Sequence, residues 1–81
     1  MRYFFHVQDG RYYPDETGTN LPDLAAVRDE AIGVTADLLR GSGRAEFWTG
    51  EEWSLHVTDE DGGDVLTLRF SAAPVAALSG G

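Results

Sequence analysis

The sequence predicts an α+β domain of two layers, ββαββ, with one helix packed on a four-stranded, mainly antiparallel sheet. Three observations carry that expectation. Asp23 to Arg40 is the one stretch with convincing helical periodicity. Two runs rich in aromatic and β-branched residues precede it and two follow it. Within each pair of runs stands an acidic turn containing glycine, Asp9-Gly10 in the first and Asp59 to Asp64 in the second.

The helix has one apolar face. At about 100° per residue, Leu24, Val27, Ala31, Val34, Thr35 and Leu38 fall on one side, while Asp29, Glu30, Gly33 and Asp37 fall on the other. Such a stripe needs something to pack against, and the remaining apolar residues lie in strand-like runs, so the strands form the sheet beneath it. Asp23 is placed to cap the first turn, where its carboxylate accepts from free amides at the positive end of the helix dipole. Arg40 suits the carbonyl end, and Gly41 can take the left-handed conformation that closes a helix.

Arg2 to Gln8 alternates, with Tyr3, Phe5 and Val7 inward and Phe4, His6 and Gln8 outward. A two-residue Asp9-Gly10 loop returns the chain into Tyr12-Tyr13, and Pro14, lacking an amide hydrogen, ends that strand or confines it to an edge. Asp15 to Pro22 reads as irregular turn chemistry. After the helix, Gly41 to Glu52 is a glycine-punctuated connection whose Phe47 and Trp48 fold back over one end of the core. Trp53 to Thr58 alternates with Trp53, Leu55 and Val57 inward, and Val65 to Phe70 with Leu66, Leu68 and Phe70 inward. The expected spatial order of the four strands is 2-1-3-4. Residues 1–70 make a single domain, and 71–81 is an Ala/Gly-rich tail expected to fray.

The net charge of −8, with six arginines and no lysine, opposes phosphate backbones and anionic membranes, so neither is expected as a partner. A basic protein partner fits better. There is no cysteine, hence no disulfide and no thiolate metal site. The N-terminal apolar run is interrupted too early for a signal peptide, and no stretch reaches membrane-spanning length, which points to a soluble cytoplasmic protein.

No motif with a specific chemistry is present, so the expectation is a non-enzymatic interaction module, regulatory or stress-linked, with no cofactor. The rival expectation is a small metal binder or metal-dependent hydrolase using His6 and His56, both outward by alternation; adjacent strands would bring them within about 5 Å at Cβ. As two strand residues in a polar face with Gln8, Thr58, Thr67 and Arg69 they need no ligand. The acidic turn at Asp59 to Asp64 lacks the spacing and closing glutamate of a calcium loop. Phe4, outward beside His6, suggests a contact patch with His56, Val65 and Trp48 that buries the bare sheet face in a weak homodimer or against a partner.

RYFFHV (Arg2 to Val7) followed by DG, PDETG (Pro14 to Gly18), LPDL (Leu21 to Leu24), the AxxxxxA spacing in the helix and VTDEDG (Val57 to Gly62) together resemble a family of small bacterial proteins known as a domain of unknown function. The resemblance covers roughly Met1 to Phe70 and implies the architecture above without an activity, cofactor or partner. DGRYYPDETG (Asp9 to Gly18) and LPDLAAVRDEA (Leu21 to Ala31) are also similar, more weakly, to the N-terminal domain of HicB-type antitoxins. That likeness implies an antitoxin-like domain binding a basic partner.

Overall fold

A computed structural model describes residues 1–41, 47–48 and 50–73. Their order is β1 (Arg2–Gln8), β2 (Tyr12–Tyr13), β3 (Thr19–Asn20), α1 (Leu24–Arg40), β4 (Trp53–Asp59) and β5 (Asp64–Phe70). The strands form one antiparallel sheet in the order β2-β1-β4-β5, with β3 also paired to β1. The four expected strands thus take their expected order. A fifth, Thr19–Asn20, joins them from the stretch read as irregular.

Register follows the period of two. Phe5 stands opposite Val57 and Val7 opposite Leu55 on one face, while Phe4 faces Thr58 and His6 faces His56 on the other. The first face is the core. Phe5, Val27, Ala31, Leu55 and Val57 form its buried cluster, and Trp53 extends the burial along β4. Each fully buried aliphatic side chain stabilises the fold by about 1.5–3 kcal/mol relative to exposure. Among the residues of α1, only Val27 and Ala31 are fully buried. The helix stripe is therefore narrower than its periodicity suggests, and Leu24, at the stripe's margin, is 44% exposed.

Asp23 caps the helix as expected, extended in backbone and accepting from the Ala26 N–H at 2.9 Å. The other end closes differently. Gly41 is not left-handed (φ −81°); its N–H instead reaches the carbonyls of Asp37 and Leu38.

Both hairpins depart from the simplest reading. Pairing of Gln8 with Tyr12 leaves three residues in the first loop, Asp9, Gly10 and Arg11, with Gly10 supplying the positive φ of 96°. In the second, the Asp59 carboxylate accepts from the Asp61 and Gly63 N–H groups, so it serves its own turn. A register shift between Val57 and Thr58 makes Val65 the extra residue of a β-bulge, because Val57 pairs with Leu66 and Thr58 with Asp64. Of the tail, Ala72 is buried rather than frayed. Residues 74–81 lie outside the described residues.

Candidate functional site

The open face of the sheet is where the sequence puts its candidate residues, and the register brings three of them together. His6 and His56 are directly opposed, with ring centroids 6.0 Å apart, and Phe4 stacks on His6 at 6.5 Å and 10°. Tyr12, which alternation alone did not single out, also meets His6, at 6.1 Å.

Both histidines are engaged. His6 Nδ1 accepts from the backbone N–H of Asp15 at 3.0 Å, so in neutral His6 the ring proton is on Nε2, where it is donated to the Thr58 hydroxyl at 3.0 Å. His56 Nε2 lies 2.7 Å from an Asp64 carboxylate oxygen. A metal bridging the two rings would have to displace one of the His6 hydrogen bonds. Among the described residues no three His, Asp or Glu side chains are grouped to hold a metal ion.

Phe4 is half-buried rather than bare. A Cβ built at Gly18 would come within 2.8 Å of both the Phe4 ring and Arg2 Cγ, which shows how closely the backbone of the 15–18 turn lies over Phe4. The other two members of the expected patch are elsewhere. Val65 packs against the core cluster, because a bulge turns the inserted residue toward the same side as its neighbour Leu66. Trp48, 61% exposed, contacts Phe47, and Phe47 packs on Trp53 and Phe70 at one end of the core face.

The residue that organises this region is Asp15. Its Oδ2 accepts from the Phe5 N–H at 3.1 Å, and its Oδ1 accepts from Thr17 at 3.0 Å and Gly18 at 3.1 Å. Burial pushes its carboxyl upward, but the amides of Gly18, Phe5 and Thr17 together with the attraction of the His6 ring outweigh that, and it titrates below its ordinary value. Arg2 adds a hydrogen bond to the Thr17 carbonyl at 2.6 Å. The turn motif DETG and the strand motif RYFFHV are therefore two halves of one interlock. The available signal was an aspartate two and three residues before the amides it binds, the pattern of an Asx turn.

Among the described residues a cleft lies on each flank of the helix. One, of about 540 Å³, lies between the β1–β2 hairpin and the C-terminal half of α1, with Val7, Val34 and Leu38 as apolar walls and Asp9, Asp37 and Tyr13 as polar ones. The other, about 380 Å³ and almost wholly apolar, lies between α1 and β5, lined by Arg28, Ala31, Ile32, Leu66 and Leu68.

Among the described residues no helix is long and apolar enough to cross a membrane. No curated protein and no solved structure matches the chain, and the likeness to HicB-type antitoxins finds no support. One family does match, over residues 2–71, which takes in the Arg2–Asp15–Gly18 interlock and the whole sheet and helix; the chain belongs to that family, a domain of unknown function (DUF6894).

Proposed function

We propose that the chain is a non-enzymatic, cytoplasmic interaction module that receives a lysine or arginine side chain of a basic protein partner in the cleft between the β1–β2 hairpin and α1. The observation that carries this reading is the cleft's composition. Val7, Val34 and Leu38 suit the aliphatic stem of such a side chain, and the Asp9 and Asp37 carboxylates suit its cationic head. Asp37 already pairs with Arg40 at 2.6 Å, but both side chains are about three-quarters exposed, a geometry worth under about 1 kcal/mol, so an incoming cation can compete. The net charge of −8 steers basic partners toward the molecule.

Titration of isotope-labelled protein with an arginine-rich peptide, followed by amide chemical shifts, tests this. Shifts concentrated at residues 7–13 and 34–41, and weakened by Asp9→Asn and Asp37→Asn, are expected. Shifts spread evenly over the acidic surface, or indifferent to both variants, would sink it. The direct opposition of His6 and His56 favours a second reading, a His-based metal binder. Calorimetric titration with zinc separates the two: one-site binding abolished by His6→Ala selects the metal.

A further inference from the structure

The sheet has two outer edges, and β5 forms one of them, pairing among the described residues with β4 alone. Its main-chain polarity follows from a single bond. The Phe5 N–H points away from β4, to Asp15, so the pair Phe5–Val57 is one of the non-hydrogen-bonded pairs of the β1–β4 ladder. Alternation then turns the main chain of Val57 and Leu55 toward β5, and that of their partners Leu66 and Leu68 toward β4. The N–H and C=O groups of Thr67 and Arg69 are left on the free edge.

Above this edge, α1 presents a flank with no carboxylate. Leu24, Arg28 and Ile32 succeed one another at four-residue spacing on one line of the helix, whereas Asp29, Glu30 and Asp37 are rotated away from it. Ile32 is 61% exposed and Leu24 is exposed as well. Between this flank and β5 runs the apolar cleft of about 380 Å³.

We propose that two copies of the chain join edge to edge through β5, antiparallel about a two-fold axis at Thr67, so that one sheet runs through the dimer and the Ile32 flanks of the two helices close over the apolar cleft. The register follows from the geometry. Facing residues of an antiparallel pair must share a sheet face, and Thr67 on the axis sets Leu66 against Leu68 of the second copy on the helix side, with both free main-chain groups of Thr67 paired. Charge selects a second copy as the occupant. Two chains of net charge −8 repel over most of their surfaces, but among the described residues this side of the molecule, the helix flank and β5 together, carries Arg28 and Arg69 against Asp64 alone. Beyond the Leu66–Leu68 pair the bulge turns Val65 of the second copy to the core side and out of the facing series, so Arg69 meets Asp64 of that copy on the open face, and each end of the seam joins opposite charges. An isologous contact needs only this self-complementarity.

The test is sedimentation of the intact chain from tens to hundreds of micromolar, for wild type, Thr67→Pro and Ile32→Glu. Proline is tolerated where a strand N–H faces solvent, so Thr67→Pro should keep the monomer fold while removing a central hydrogen bond of the seam. Ile32→Glu alters an exposed helix position and serves should the first variant misfold. A concentration-dependent wild-type dimer is expected, weakened by roughly tenfold or more in each variant that keeps the native circular dichroism. A wild type monomeric throughout, or a dimer unaffected in the natively folded variants, overturns the proposal.

Discussion

The outer edge of β1 and the outer edge of β5 belong to the same sheet and are treated in opposite ways. Along β1, β2 pairs at Val7 and Gln8, β3 pairs at Arg2 and Tyr3, and in the gap between them the Asp15 carboxylate takes the place of a strand by accepting the Phe5 N–H. Along β5 no side chain among the described residues substitutes for the missing partner. Among the described residues its edge devices are a bulge at Val65 and charges at Asp64 and Arg69, and these protect the ends more than the middle. The contrast separates two uses of sequence. The chain commits a strand motif and a turn motif to closing one edge, which makes them structural, and leaves the other edge open to solvent or to a second molecule.

Asp15→Ala should be the most damaging single change at the closed edge. It removes the acceptor of three backbone amides, one of them on a half-buried strand, and charge-assisted bonds of this kind are worth about 1.5–3 kcal/mol each before the turn relaxes. A loss of about 2–4 kcal/mol, read from the urea midpoint, is expected, and it should open β2 and β3 to amide exchange before β4 and β5. An unchanged midpoint would show that the edge is held by the short strands alone.

Gly18→Ala tests the same edge sterically and should cost about 1–3 kcal/mol. Gly18 has φ of +77°, and the added methyl carbon would approach the Phe4 ring and Arg2 Cγ at 2.8 Å. The Arg2 stem can move aside; the Phe4 ring, stacked on His6, has less freedom. A fluorescence melt of the variant, compared with Gly62→Ala at φ +82° in open space, isolates the contact from the backbone strain that both share.

The closed edge also carries a pH signature. Because Asp15 titrates below the ordinary carboxyl value of 3.8 in the folded chain, the folded state binds its proton more weakly than the unfolded state. Its contribution to stability is therefore complete above the ordinary value and is lost as the pH falls through the lower folded one. Asp15→Asn should flatten the acid limb of a stability–pH profile. A variant profile parallel to wild type would assign the acid sensitivity to other carboxylates.

Local rules made most of this architecture legible. Alternation placed Trp53, Leu55 and Val57 inward, Asp23 announced the start of α1, and the two acidic glycine turns marked the hairpins. The likeness to a family of unknown function likewise stands. What escaped depends on distance in sequence. Thr19–Asn20 is a strand only because β1 lies beside it, and Asp15 matters because its side chain reaches Phe5, ten residues earlier. Val65 changed sides because a bulge broke the period of two, which no pattern within β5 records. Phe4, His6 and His56 do share the open face, but as members of hydrogen-bonded and stacked sets rather than as a bare patch.

The smallest expected effect lies on the β5 side of the helix. At the interlock the side chains of Arg2, His6 and Asp15 are each hydrogen-bonded, whereas the Thr35 hydroxyl, on the β5 flank of α1, is buried without a partner. A buried hydroxyl left unpaired costs about 1–3 kcal/mol in desolvation, and part of that is recovered when an apolar group of the same shape replaces it. Valine is that group, and its helix propensity is close to that of threonine, so the helix itself gains or loses little. Thr35→Val should therefore stabilise the chain by up to about 1 kcal/mol and raise the melting temperature by a few degrees. A variant less stable than wild type would mean that the hydroxyl finds a partner in solution and that the β5 flank is better satisfied than its geometry indicates.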